Sequence, residues 1–244
     1  MTDSLEITKK LGVKRVGIQG IRYQAKEAMR ELKPEECLYR FAIGFDDSGS
    51  MGTEPLRDAK RAVAGFLGNC VPQETSVAIV PFSGVDNPNH GIKAQPLTCL
   101  YDLINAYLGP IVATSGTPLY GTMKTMMTDF PITRGILFSD GGSTDKTINQ
   151  SYDYIQDTPQ LTGQAGEEPS VLLAIERKIP FDCVYIGGGS SPELKHIAEV
   201  TGGIYLEFTD TSIFAKQMKY LSPKYVALLS NAELKEKIQR GETI

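Results

Sequence analysis

The sequence predicts an α/β fold built on a mostly parallel sheet with helices on both faces. Short apolar runs alternate along the chain with segments whose apolar residues recur at helical spacing, the order expected when strands and helices alternate. The strand-like runs are continuously apolar, which is typical of parallel strands buried on both faces. A chain of 244 residues with 41% hydrophobic and 22% charged residues can bury such a core without disulfides or structural metals.

The individual elements follow from the same patterns. The predicted strands are residues 38–45, 76–82, 91–98, 134–139, 181–186 and 204–208. The predicted helices are residues 54–70, 100–108, 118–129, 171–178, 193–200 and 212–229. A further helical tract near residues 23–32 stops before Pro34. We therefore interpret residues 1–36 as an N-terminal helical extension and residues 230–244 as a C-terminal tail.

Particular residues justify these boundaries. Pro81 lacks a backbone N–H, so the end of the second strand is expected at a sheet edge or a bulge. Pro118 suits the first turn of its helix, because the N–H that it lacks would have no partner there. Gly202 and Gly203 end the helix that precedes the last strand. The first helix carries its apolar residues at helical spacing, at Leu56, Ala59, Val63, Phe66 and Leu67.

Residues 141–169 stand apart from the rest of the chain. They are polar and rich in Gly, Ser, Thr and Gln, and they are long for a connection in a compact domain, where about 4–6 residues is typical. Such loops are commonly functional or disordered, and this one directly follows Asp140. Tyr152 and Tyr154 are candidate contact residues, although packing of the loop on its own domain is equally plausible.

Composition narrows the functional classes. A net charge of -4 argues against a nucleic-acid-binding protein, which is usually strongly basic. The four cysteines form no CxxC pair, so zinc or redox motifs lack support and we interpret the cysteines as buried thiols. His90 and His196 lie in no motif and are interpreted as surface or packing residues. The sequence has no signal peptide and no apolar run of membrane-spanning length, which predicts a cytoplasmic protein without membrane partners.

The strongest functional pattern is Asp46-Asp47-Ser48-Gly49-Ser50, which follows the first predicted strand. Ligands of open α/β sheets bind at the carboxyl ends of the strands. Asp46, Ser48 and Ser50 offer hard oxygen ligands at alternate positions, and such ligands suit Mg2+, Mn2+ or Ca2+ better than zinc or copper. Asp47 is either a supporting negative charge or a solvent-facing residue.

Two further segments bring oxygen ligands to the same edge. Thr117, within Ser115-Gly116-Thr117-Pro118-Leu119, precedes a helix, and Asp140 follows the strand at residues 134–139. Together with the first segment, they predict a divalent-cation site formed by Asp46, Ser48, Ser50, Thr117 and Asp140.

In order, spacing and strand context, these three segments resemble the metal-ion-dependent adhesion site of von Willebrand factor A domains. The resemblance covers residues 37–229 and implies a doubly wound, six-stranded sheet with one short antiparallel edge strand, for which residues 91–98 are the candidate. In that family the two serines bind the ion directly. The residues corresponding to Asp46 and Asp140 act directly or through water, and the threonine binds when a ligand is engaged. Ser115 replaces the more usual glycine.

The resemblance also implies a function. The chain is expected to be a non-enzymatic binding module whose Mg2+, with Mn2+ or Ca2+ as alternatives, holds a Glu or Asp carboxylate of a protein partner. Bacterial relatives often act beside AAA+ ATPases or in other complexes. The alternative is an Mg2+-dependent hydrolase or phosphotransferase. Such an enzyme needs a base near the metal, and these segments offer no His, Lys or Cys for that role, which leaves Asp47 as the candidate base.

Overall fold

The computed structural model describes residues 33–70, 74–83, 94–112, 116–146, 150–155, 158–163, 167–187 and 189–208, together with Met218 and Leu221. Its strands are β1 (Tyr39–Asp46), β2 (Thr75–Phe82), β3 (Arg134–Ser139), β4 (Gln150–Ile155), β5 (Thr158–Gly163), β6 (Phe181–Ile186) and β7 (Tyr205–Phe208). Five of them form one parallel sheet in the order β2-β1-β3-β6-β7. The predicted α/β class and parallel sheet are thus confirmed.

The helices also follow the sequence pattern closely. They are α1 (Thr53–Leu67), α2 (Tyr101–Leu108), α3 (Leu119–Asp129), α4 (Pro169–Arg177) and α5 (Pro192–Thr201). Short 3-10 turns at Pro34–Glu36 and Gly49–Met51 precede β1 and α1. The predicted N-terminal helix lies outside the described residues, as does the predicted helix 212–229 apart from Met218 and Leu221, both of which are buried. Among the described helices, none is both long and apolar enough to cross a bilayer.

The core lies on both faces of the sheet. On one face, Phe41 of β1 packs edge-to-face on Phe66 of α1, with ring centroids 5.3 Å apart. On the other, Ala42 of β1 packs in a cluster with Met123 and Met126 of α3. Successive residues of a strand point to opposite faces, so a continuously apolar strand needs helices on both sides. This arrangement confirms the predicted layers.

A buried ion pair joins β3 to β6 within the sheet. The Arg134 guanidinium donates two hydrogen bonds of 2.6 Å to the Asp182 carboxylate, and both side chains are almost completely buried. The carboxylate also accepts a hydrogen bond of 2.8 Å from the Ile204 N–H, just before β7. One carboxylate therefore connects three neighbouring strands.

The edge of the sheet differs from the prediction. Residues 94–98 form no strand, but Thr98 makes an isolated antiparallel bridge to Val77 of β2 through hydrogen bonds of 3.0 and 3.1 Å. Across the described ranges the main sheet therefore has five strands rather than six. Residues 91–93 lie outside these ranges. β2 is the edge strand of this sheet, as Pro81 predicts.

The prediction of one long loop at residues 141–169 is corrected. Within it, β4 and β5 form an antiparallel hairpin whose register pairs Tyr152 with Leu161 and Tyr154 with Pro159. The hairpin lies against α5. A two-stranded ribbon is held largely by backbone pairing, so its polar composition gave no strand signal.

Candidate metal centre

Asp46 ends β1 and anchors the candidate site. Its side chain is completely buried. The Ser48 N–H donates a hydrogen bond of 2.8 Å to Oδ1, and the Ser139 hydroxyl donates one of 2.5 Å to Oδ2. Because β1 and β3 are parallel neighbours, their carboxyl ends reach the same sheet edge, and the two strands together orient one carboxylate.

The environment of Asp46 disfavours its negative charge. Burial raises the pKa of this carboxyl group to about 7, the hydrogen bonds from Ser139 and Ser48 lower it, and the charge of Asp140 raises it further. Among the described residues, no Lys or Arg forms a salt bridge with Asp46 or Asp140. An opposite charge nearby favours the ionised form of a carboxyl group, so a bound cation would fit this environment.

Two serine hydroxyls converge beside this carboxylate. Ser48 is buried and Ser50 is exposed, and their Oγ atoms lie 3.0 Å apart. The 3-10 turn Gly49–Met51 brings the alternate side chains together, and Gly52 at φ 53° leads into α1. One buried and one solvent-accessible hydroxyl therefore stand together at the end of β1.

Asp47 does not face solvent, which removes one of its predicted roles. The residue is 5% exposed, and its N–H donates a hydrogen bond of 3.2 Å to the Phe82 carbonyl at the end of β2. This bond turns the chain towards β2 directly after Asp46. The interpretations that remain for Asp47 are a negative charge that supports a nearby cation and, for the alternative enzyme, the candidate base.

Thr117 and Asp140 belong to two loops that are hydrogen-bonded to each other. Thr117 is buried just before α3, and Asp140 is partly buried just after β3. The Thr117 N–H donates to the Thr144 hydroxyl and the Thr117 carbonyl accepts from the Thr144 N–H, both at 2.9 Å. The loop that carries Asp140 thus holds the loop that carries Thr117.

Asp145 is a residue of the site that sequence reasoning missed. Its carboxylate accepts hydrogen bonds from the backbone N–H groups of Tyr120 (3.1 Å) and Gly121 (2.6 Å), and Ser143 donates one of 2.6 Å. The N-terminus of α3 follows Pro118 and has no side-chain cap of its own, while its first amides need an acceptor. That missing cap was the available signal, but the acceptor lies 25 residues away in sequence.

Both the start of α3 and the segment that follows Asp140 are fastened to α5. The Tyr120 hydroxyl donates a hydrogen bond of 2.6 Å to Glu193, and Lys146 forms a salt bridge of 3.0 Å with the other Glu193 oxygen. Gly141 has φ +95°, and a Cβ there would crowd the Ser191 and Tyr185 side chains at 3.1–3.3 Å. Glycine therefore lets the chain turn sharply after Asp140 into this network.

The described residues bring the predicted ligands into two linked groups. Asp46, Ser48 and Ser50 form one hydrogen-bonded group, and Asp140 lies near enough to act on the Asp46 pKa. Thr117 is joined to the Asp140 loop. In the described part of the chain, no three His, Cys, Asp or Glu residues form a cluster of metal-binding geometry. The candidate donors are therefore two carboxylates with hydroxyl groups, a set that fits Mg2+, Mn2+ or Ca2+ rather than zinc.

His196 is not part of the candidate metal site. It lies on α5, is 7% exposed, and its Nε2 is 2.7 Å from Glu167 Oε1. This agrees with its interpretation as a packing residue. His90 lies outside the described residues.

Comparisons with known proteins define the fold. No family model and no curated protein sequence matches this chain. Several solved structures do match it. A von Willebrand factor type A protein from Catenulispora acidiphila matches with a TM-score of 0.56 and 18% identity over 76% of this chain and 42% of that one. The SpRpn10 VWA domain matches with a TM-score of 0.53 and 12% identity over 74% and 95% of the two chains.

A third similar structure is the pilus adhesin SpaC from Lactobacillus rhamnosus GG, with a TM-score of 0.54 and 15% identity. The match covers 86% of this chain but only 30% of SpaC, so this chain spans under a third of that relative. The parallel sheet order, the helices on both faces and these neighbours together define the fold of a von Willebrand factor A domain.

Proposed function

We propose that this chain is a non-enzymatic, divalent-cation-dependent protein-binding module. Asp46, Ser48, Ser50, Thr117 and Asp140 would hold the cation, directly or through water, with Mg2+ as the first choice and Mn2+ or Ca2+ as alternatives. A bound cation would supply a Lewis-acidic position that a Glu or Asp carboxylate of a protein partner completes. We further propose that the partner is a subunit of a larger complex, such as an AAA+ ATPase, in the cytoplasm.

The buried Asp46 carboxylate is the observation that carries this proposal. An isolated buried carboxylate is costly unless it is neutralised. The pKa of Asp46 is raised to about 7, and no described Lys or Arg forms a salt bridge with it. Two hydroxyls and a second carboxylate lie beside it. A divalent cation would compensate this charge through the oxygen donors that it prefers.

The residues around the candidate metal site favour a protein-binding module over a metal-dependent enzyme. A metal-dependent hydrolase or phosphotransferase requires a base or an activated nucleophile that reaches the substrate. The hydrogen-bonded group around Asp46 contains no described His, Cys or Lys, and the candidate base Asp47 is 5% exposed. The hydrolase or phosphotransferase therefore remains the second candidate.

The test is cation-dependent capture of a partner by the full chain. The chain and its Ser48→Ala/Ser50→Ala variant are immobilised, exposed to lysate of the source organism in Mg2+ or in EDTA, and the bound proteins are quantified by mass spectrometry. We expect a partner that is retained only by the wild-type chain in Mg2+. Thr128→Ala, which removes a hydroxyl at the far end of α3, is the matched control. Equal retention in EDTA would refute the proposal.

A further inference from the structure

Two cysteines meet at the opposite end of the sheet from the candidate metal centre. Cys37 lies two residues before β1, whereas Asp46 ends that strand. Cys99 directly follows Thr98, the residue that bridges to β2. The two residues are 62 positions apart in sequence, and their Sγ atoms are 3.1 Å apart. Both are buried, at 2% and 7% exposure.

Hydrogen bonds hold both cysteines against the start of β2. The Cys37 N–H donates to the Pro34 carbonyl at 3.2 Å, and that carbonyl also accepts from the Ser76 hydroxyl at 2.9 Å. Thr98 and Val77 exchange two hydrogen bonds beside Cys99. A disulfide bond is about 2.05 Å long, so the sulfurs stand about 1 Å from bonding distance in a framework that already holds them together.

We propose that Cys37 and Cys99 form an intramolecular disulfide by exchange with a low-molecular-weight disulfide such as oxidised glutathione. In the first step the Cys99 thiolate attacks the small disulfide, the mixed disulfide forms, and one glutathione thiolate leaves and takes up a proton. In the second step the Cys37 thiolate attacks Sγ of Cys99, the protein disulfide forms, and the second glutathione leaves as the thiol. Two protein thiols are oxidised while one small disulfide is reduced to two thiols.

The environment of the pair sets the relative rates of these steps. Burial, a hydrogen bond with Cys37 and the Cys37 charge raise the pKa of the Cys99 thiol to about 12, and the thiolate is the reactive form. The first step is therefore slow compared with that of an exposed thiol. The second step joins two sulfurs already in contact, which gives a high effective concentration. The mixed disulfide should consequently not accumulate.

Cys70 provides the internal comparison. It is more exposed than the pair, and its Sγ donates to the Phe66 carbonyl at 3.4 Å rather than to another sulfur. A shared zinc site is not supported, since the described residues contain no three-residue cluster of metal-binding geometry. Crosslinking should therefore be specific to Cys37 and Cys99, while Cys70 would at most carry glutathione.

The test is disulfide mapping of the full chain at redox equilibrium. Native protein is incubated with oxidised glutathione. A second sample is refolded from urea in a glutathione buffer, so that burial cannot prevent the reaction. Remaining thiols are alkylated, and unreduced digests are mapped by mass spectrometry. We expect one linked peptide pair, Cys37 with Cys99, and a rise in Tm on the order of 10 °C that dithiothreitol reverses.

The variants separate this pair from general thiol oxidation. Cys70→Ser should retain both the linked peptide and the Tm rise, while Cys37→Ser and Cys99→Ser should lose both. If a serine variant fails to fold, the wild-type map decides alone. Cys37 and Cys99 that stay alkylatable in both samples, that carry only glutathione, or that link to Cys70 would overturn the proposal.

Discussion

Asp46 is the residue on which the account of the site depends. It is fully buried and lies near a second carboxylate, and burial raises its pKa to about 7. A charge in that position destabilises the metal-free protein, because burial disfavours the ionised form. Ligand-binding sites commonly destabilise the protein locally when the ligand is absent. The role of Asp46 can therefore be tested by stability as well as by binding.

The substitution Asp46→Asn should separate these two effects. The asparagine side chain would keep a carbonyl oxygen for the Ser48 N–H, and its amide NH2 would donate to the Ser139 hydroxyl, which now donates to Asp46. It would also lose the buried charge, so the metal-free variant should be more stable than wild type by about 1–3 kcal/mol at neutral pH. It should also lose stabilisation by Mg2+. Urea unfolding with and without Mg2+ measures both quantities. A variant that is less stable without metal, or equally stabilised by Mg2+, would contradict this role.

At the element scale, the segment 141–146 links α3, α5 and the carboxyl end of β3. Asp145 caps α3, Thr144 holds the Thr117 loop, and Lys146 reaches Glu193 of α5. Groups that orient metal ligands through such contacts usually affect metal affinity. We therefore treat Asp145 as a positioning residue for Thr117.

Asp145→Ala should destabilise the fold by about 1 kcal/mol, because a helix N-terminus loses its cap. It should also weaken Mg2+ binding about 10-fold, since the Thr117 loop loses its support. Thr128→Ala on the same helix is the control and should change only stability. Calorimetric titration of both variants provides the measurement. Equal Mg2+ affinity in the two would assign Asp145 a purely structural role.

The hairpin β4–β5 is the second element with a separable role. It follows the Asp140 loop and lies against α5, so we expect it to influence partner choice rather than metal binding. Replacing residues 150–163 by a short Gly-Ser linker should leave Mg2+ affinity within about twofold, because none of the proposed ligands is removed. Mg2+-dependent capture of partners should change. Unaltered capture would show that the hairpin does not select them.

At the scale of the whole molecule, the main sheet could be predicted from the sequence, whereas the β4–β5 hairpin and the Asp145 cap could not. β1, β3 and β6 are mostly apolar runs, and burial on both faces leaves few alternatives for such segments. The hairpin β4–β5 is polar and depends on backbone pairing. The Asp145 cap depends on a contact 25 residues distant. Neither feature leaves a local periodic signal, so both required the structure.

In the candidate site, too, some features could be predicted from the sequence and others required the structure. Asp46, Ser48 and Ser50 form one short motif, and the structure brings them into a hydrogen-bonded group. Ser139 directly precedes Asp140 in the sequence, yet its hydrogen bond to Asp46 depends on the pairing of β1 with β3. Asp47 is likewise buried next to β2, where its N–H bonds to the Phe82 carbonyl. The residues next to Asp47 in sequence give no sign of this contact.

The buried pair of Arg134 and Asp182 joins β3 to β6 and provides a test of the sheet. Asp182→Asn would leave a buried guanidinium without its counter-charge, which should cost about 3–5 kcal/mol. Asp58→Asn, whose partners on α1 are exposed, should cost under about 1 kcal/mol. Urea unfolding compares the two variants. Similar losses would mean that the buried pair contributes no more than a surface one.

The most direct test of the central claim is calorimetric titration of the full chain with Mg2+. We predict one site in the wild type, no detectable binding in Ser48→Ala/Ser50→Ala, and wild-type affinity in Thr128→Ala. Binding should also stabilise the chain, by about 2.7 kcal/mol when free Mg2+ exceeds the Kd a hundredfold. Equal binding by the double variant, or no binding by the wild type at millimolar Mg2+, would contradict the cation site.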